Sequence, residues 1–216
     1  MILVYYTRPR IFSKKTLKLS MGKAFYVIGI EIIPDRSQGL LGLSQKAYIN
    51  KVLERFKMEK CSASVVPIQK GDKFSLMQCP NNELEHKEME RIPYASIVGS
   101  LMYAQTFTRP NISFAVGMFD KYHSNPGLDH WKAAKKVLRY LQGTKNYMLT
   151  YRRSDLLEVI GYSDLDYVGC MDTRKITFGY LFLLARGAIS WKSVKQYVNV
   201  VSTMETEFVT YFEATV

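Results

Sequence analysis

The stretch Leu157–Gly169, LEVIGYSDLDYVG, decides how this chain is read. Leu157, Val159 and Gly161 alternate with Glu158, Ile160 and Tyr162, and apolar residues dominate both sets. Such a run suits a strand buried on both faces, as in a sheet covered by helices. It ends on two carboxylates, Asp164 and Asp166, with Gly169 just beyond. A carboxylate at the end of a rigid strand presents hard oxygen ligands of the kind magnesium prefers. The same residues also suit a solvated turn in which Asp and Ser satisfy local backbone donors. Pattern alone leaves both readings open.

Downstream, Ile176–Arg186 (ITFGYLFLLAR) reads as a second strand, Gly187 as a turn and AISWKSVKQ as a third strand. Three antiparallel strands joined by short turns follow from this spacing. Residues 201–214, VSTMETEFVTYFEA, open on Ser202 or Thr203 as cap, with Glu205 at capping-box spacing from Ser202. Met204, Phe208, Tyr211 and Phe212 give that helix its apolar stripe, and Glu207 lies near the stripe's edge.

Upstream lies the sharpest patterning in the chain. Asp129 is placed to cap the helix HWKAAKKVLRYLQGT and Gly143 to stop it. Trp131, Ala134, Leu138 and Leu141 form one stripe; Lys132, Lys135, Lys136 and Arg139 share another. Like charges at helical spacing repel by a few tenths of a kcal/mol per pair. A phosphate backbone would neutralise them. From His130 to Arg153 the sequence holds seven Lys or Arg and no Asp or Glu, whereas a merely solvated helix normally mixes its signs. These four residues are therefore the candidate phosphate contacts.

The first part of the chain is less periodic. Residues 1–22 show no clear period. Ala24–Ile33, AFYVIGIEII, reads as a strand, residues 34–39 as a turn and LLGLS as its hairpin partner. Ser44 is a good cap for the helix QKAYINKVLERFKM, whose Ile49, Val52, Leu53 and Phe56 recur at helical spacing. Residues 59–91 are polar and punctuated by Pro and Gly, and read as a long connector. Two helices follow, Pro93–Gln105 and one from Pro110 with Thr108 as cap; Asn125, Pro126 and Gly127 then turn the chain.

Composition narrows the function classes. With 47% hydrophobic residues, the 216-residue chain can bury a core. A formal net charge of +11 favours a polyanionic partner, nucleic acid or an acidic membrane surface. No apolar run approaches a bilayer span, and no helix joins a basic face to the large exposed apolar face that membrane-surface binding needs. Cys61, Cys79 and Cys170 are odd in number and lack metal-ligand spacing, so neither a disulfide framework nor a zinc site is supported and an intracellular setting fits best.

Eight segments in order, GIEI, GLSQKAYINKVLERF, PYASIVGSLMYA, TRPNISFAVG, HWKAAKKVLRYLQGT, GYSDLDYVG, ISWKSVKQ and STMETEF, carry a resemblance. From about Met21 onward the chain resembles the Pol polyprotein of copia-type long-terminal-repeat retrotransposons, particularly those of plants. The resemblance implies an α+β fold in which a helical thumb and connection region precedes the antiparallel strands and first helix of a truncated ribonuclease H-like domain. It divides the chain into an unassigned basic segment (1–22), the C-terminal part of a reverse transcriptase (23–145) and the ribonuclease H-like part (146–216). It assigns Asp164 and Glu207 to magnesium binding and catalysis, and AFYVIGIEI to the region that steadies a primer terminus. It sets Lys132, Lys135, Lys136 and Arg139 against a template–primer duplex, so that the partners are an RNA–DNA hybrid or duplex and the rest of the polyprotein. Departures count against activity. No Asp-Asp dipeptide occurs in the sequence, residues 1–20 are unlike the family, and the chain stops before the later ribonuclease H carboxylates. Two-metal hydrolysis needs enough carboxylates to hold both ions. The expectation is a catalytically incomplete fragment, with a non-catalytic nucleic-acid-binding module or a non-functional translated remnant as the alternatives.

Overall fold

A computed structural model describes the backbone of residues 2–6, 25–69, 72, 74–155, 157–166 and 177–195, and the side chains of these except 2–6, 164–166, 177–178 and 194–195. Among the described residues there are five α-helices and two four-stranded antiparallel sheets. The helices are α1 (Lys46–Arg55), α2 (Glu83–Glu90), α3 (Tyr94–Phe107), α4 (Ser113–Asp120) and α5 (Leu128–Thr144). One sheet orders its strands β2 (Tyr26–Val27), β3 (Ile30–Asp35), β4 (Leu40–Ser44) and β5 (Leu149–Arg152). The other runs β1 (Ile2–Tyr6), β6 (Val159–Asp166), β7 (Thr177–Leu184) and β8 (Gly187–Lys195).

The core lies among α1, α3, α4 and α5. Ile49 and Leu53, Ile97 and Leu101, Phe119, and Leu138 and Leu141 are all at most 1% exposed. Burying each such side chain contributes about 1.5–3 kcal/mol. The Tyr94 hydroxyl donates to the Phe119 carbonyl at 3.0 Å and that of Tyr48 to the Ser100 carbonyl at 3.0 Å, so the two tyrosines tie α3 to α4 and α1 to α3. Helix α1 starts one residue later than a Ser44 cap implies, yet the Ser44 Oγ does accept the Lys46 N–H at 3.2 Å.

Several sequence expectations change. The single strand over Ala24–Ile33 is a hairpin instead, because Ile28 and Gly29 both sit in the left-handed region (φ 50° and 70°). A β-branched residue there is strained, and the Tyr103 hydroxyl on α3 holds the turn through the Ile28 carbonyl. The expected connector contains α2, with Asn82 Oδ1 accepting the Glu85 N–H at 2.9 Å. Thr108 caps no helix; its hydroxyl donates to Gln45 Oε1 at 2.6 Å, and a 3-10 turn at Pro110–Ile112 precedes α4. Asp129 lies inside the first turn of α5, whose cap position is Gly127. Gly143 does not stop α5, because the residue is helical and lets Ala63 approach. Ala185 and Arg186, at φ 51° and 63°, make the β7–β8 turn, and Gly187 belongs to β8. Strand β6 is mostly half-buried over Val159–Ser163 rather than enclosed on both faces. The expected helix over 201–214 lies outside the described residues.

The two sheets meet through β5 and β8. The Arg152 N–H donates to the Ala185 carbonyl at 3.0 Å and the Tyr151 hydroxyl to the Ala188 carbonyl at 2.6 Å. Trp191 Nε1 donates to the Gln105 carbonyl of α3 at 2.8 Å.

Candidate nucleic-acid interface

Helix α5 is fixed by its apolar side, where Ala134, Val137, Leu138 and Leu141 are buried. His130 is fully buried, stacks on Tyr122 at 3.9 Å, and accepts the Gly127 N–H on Nδ1 at 2.9 Å. The opposite side carries the four candidate basic residues, and the structure divides them. Lys132 is exposed and Lys135 half-buried, and neither reaches the connector. The Lys132 side chain is 71% exposed and bonds Asp129 at 3.0 Å one turn earlier, and Lys135 Nζ lies 5.5 Å from the Trp131 ring centroid. An exposed pair or cation–π contact of this kind contributes less than about 1 kcal/mol and does not commit the ammonium.

Lys136 and Arg139 instead grip the connector. Lys136 bonds Asp72 at 2.8 Å. Arg139 Nε donates to the Ser62 carbonyl at 2.8 Å and Nη2 to the Ser62 hydroxyl at 2.7 Å. The Ser64 N–H returns a bond to the Arg139 carbonyl at 3.2 Å, and Gln142 Nε2 donates to the Glu59 carbonyl. Partial burial pushes the Asp72 carboxyl up, but the hydrogen bonds from Lys136 and the Gln69 amide outweigh it and hold the group below its usual 3.8. The charge stripe that called for an external counter-charge thus finds two internal ones, Asp129 and Asp72. Those partners lie 3 and 64 residues away in sequence; only the first was within sight of helical spacing.

Sequence reasoning also missed a buried polar cluster. Arg109 is 4% exposed, and its Nη2 donates to the Tyr147 carbonyl at 2.9 Å. Burial lowers its pKa, opposed by the nearby Tyr140. With the Gln45–Thr108 bond beside it in sequence, Arg109 joins the α3–α4 connection to the segment entering β5. A basic residue next to Pro110 gave no hint of burial.

The proposed metal residues fare differently. Asp164 lies late in β6, opposite Gly179 of β7, and Asp166 opposite Thr177. Glu207 lies outside the described residues. Among the described residues no three His, Cys, Asp or Glu side chains gather as a cation site requires. The Asp164 and Asp166 side chains lie outside the described residues too.

A mixed α/β protein with one strongly basic helix is the class that this geometry defines. Its relatives narrow it further. Over 189 residues, 88% of this chain and 14% of the relative, it is 42% identical to the retrovirus-related Pol polyprotein from transposon TNT 1-94 of Nicotiana tabacum. An uncharacterised mitochondrial protein of Arabidopsis thaliana is 33% identical over 91% of this chain and 76% of its own length. A protein named secreted RxLR effector protein 161, from Plasmopara viticola, is 43% identical over 59% of this chain and 89% of its own. The chain belongs to the Pol polyproteins of copia-type retrotransposons, as a fragment of one. No protein-family profile matches it, and no solved structure matches it. No helix among the described residues is long and apolar enough to cross a membrane.

Proposed function

We propose that the chain binds an RNA–DNA hybrid through phosphate contacts from the outer face of α5 and performs neither polymerisation nor hydrolysis by itself. The observation that carries this reading is the exposure of Lys132 on α5, with the half-buried Lys135 one turn further along the same helix, in a chain of net charge +11. Lys136 and Arg139 act there as positioning residues, because their hydrogen bonds to Asp72 and Ser62 hold the connector against the helix. Residues 23–145 are read as the end of a reverse transcriptase and 146–216 as the start of a ribonuclease H-like domain. The β6–β7–β8 meander, with Asp164 late in its first strand, supports the second assignment. Strand β5, just past that boundary, pairs back onto β4 and so belongs structurally to the first sheet. The lack of an Asp-Asp dipeptide supports the absence of polymerase chemistry.

Each phosphate neutralised on a B-form duplex contributes about −0.9 to the slope of log K against log salt. Lys132→Ala and Lys135→Ala should each weaken hybrid binding and flatten that slope by about one. Unchanged affinity and slope in both variants would remove α5 as the contact. Hybrid cleavage by the purified chain should be negligible; magnesium-dependent cleavage abolished by Asp164→Asn would overturn that part.

A further inference from the structure

The outermost strand of the second sheet comes from the far end of the chain. Strand β1 pairs antiparallel with β6 in five register steps, from Ile2 opposite Ser163 to Tyr6 opposite Val159. The other side of β6 is taken by β7 along its whole length. At the sheet's opposite margin, β8 lies against α4, where the Ser193 carbonyl is 3.3 Å from the position of a Cβ on Gly117, and the Trp191–Gln105 bond adds to the cover. Among the described residues, the β6 margin has only β1. Without it, Val159–Ser163 would offer a row of unpaired backbone donors and acceptors on a strand rich in apolar residues, a template for any extended chain. The pairing stops one residue short of Asp164, so Asp164, Leu165 and Asp166 are paired by β7 alone among the described residues.

The sequence of β1 suits the task. Ile2, Leu3, Val4, Tyr5 and Tyr6 carry no charge and no glycine, and Arg8, Pro9 and Arg10 follow directly. Apolar, β-branched and aromatic residues favour a pleated, half-buried position, and a charge-plus-proline flank keeps such a run from recruiting further strands.

We propose that Ile2–Tyr6 is a strand-complementing arm, and that the Val159–Ser163 margin of β6 is a strand-accepting surface which the chain fills with its own N-terminal segment. Main-chain hydrogen bonds supply the affinity in such strand addition, and side chains set the register. The inference is independent of any nucleic-acid role for α5, which lies outside this sheet.

Three measurements test it. In hydrogen exchange, deletion of residues 1–6 should cost the β6 amides that face β1 at least about tenfold in protection while α3 and α5 are unchanged. A labelled peptide of residues 1–10 should bind the truncated chain and restore that protection, and bind the intact chain at least about tenfold more weakly. Unchanged β6 protection on truncation, or equal peptide binding to both chains, would overturn the proposal. Should truncation prevent folding, the full chain carrying Leu3→Cys and Tyr162→Cys, register partners in the pairing, gives the answer. An oxidised link at those positions within one monomer, mapped by mass, supports the arm; a link only between two chains, or none, refutes it.

Discussion

Replacing Gly127 by alanine should destabilise the chain, although nothing about the backbone there demands glycine. Its φ of −104° is ordinary, so the constraint is purely steric. An added Cβ would lie 2.9 Å from the carbonyl carbon of Gln78 and closer still to its oxygen, inside the 3.0 Å that real Cβ atoms keep. Those atoms are main chain, in the 3-10 turn Leu76–Gln78, and cannot rotate away. Either the connector or the start of α5 must retreat by roughly 1 Å, loosening the packing of Phe74 on Phe119 (5.7 Å) and on His130 (6.1 Å). Overpacking of this kind costs typically 1–3 kcal/mol, and a backbone obstacle places it in the upper half, about 2–3 kcal/mol. In a chain of this size that is a loss of roughly 4–12 °C in Tm. Gly99 is the internal control. It is exposed in the middle of α3 with nothing within 4 Å of a new Cβ, so Gly99→Ala should stabilise by about 0.5–1 kcal/mol. Urea unfolding followed by circular dichroism reads both. If Gly127→Ala leaves the midpoint unchanged, or if the two variants shift it in the same direction, the described contact between α5 and the connector is wrong.

Three further outcomes are expected. Because Asp72 titrates below its usual 3.8 in the folded chain, its ion pair stabilises at higher pH and the contribution is lost as pH falls through the folded value. Asp72→Asn should therefore cost about 0.2–1 kcal/mol at neutral pH and flatten the acid limb of stability below pH 4. Trp191→Phe removes the bond to Gln105 and should cost about 1 kcal/mol, with faster amide exchange in β8. Leu138→Ala, at a fully buried position of α5, should cost about 2–5 kcal/mol in the same urea assay.

What the sequence disclosed depended on whether the deciding partner was near in the chain. Strands β6, β7 and β8 were legible because long apolar runs broken by short turns declare themselves locally. The buried stripe of α5 was legible for the same reason, at Ala134, Leu138 and Leu141. Helix α2 announced itself in the Asn82-to-Glu85 spacing, but that signal sat in a polar stretch that composition had marked as connector. The hairpin turn at Ile28–Gly29 was hidden because an isoleucine argues for strand, and the Tyr103 bond from α3 and the flanking β2–β3 pairing come from outside the local pattern. Strand β1 could not be inferred from local pattern, since its partner β6 lies more than 150 residues downstream. The same distance effect governs the candidate interface. Helical spacing placed Lys132, Lys135, Lys136 and Arg139 on one side, but only the fold reveals that Ser62 and Asp72, 77 and 64 residues away, occupy two of them.

The measurement that bears most directly on the account is binding of the unaltered chain to an RNA–DNA hybrid and to duplex DNA of equal length, across a salt titration. Tighter binding to the hybrid is expected, with affinity falling steeply and linearly as log salt rises. Equal and weak binding to both, erased by modest salt, would contradict it, because that is the behaviour of any strongly basic chain toward a polyanion.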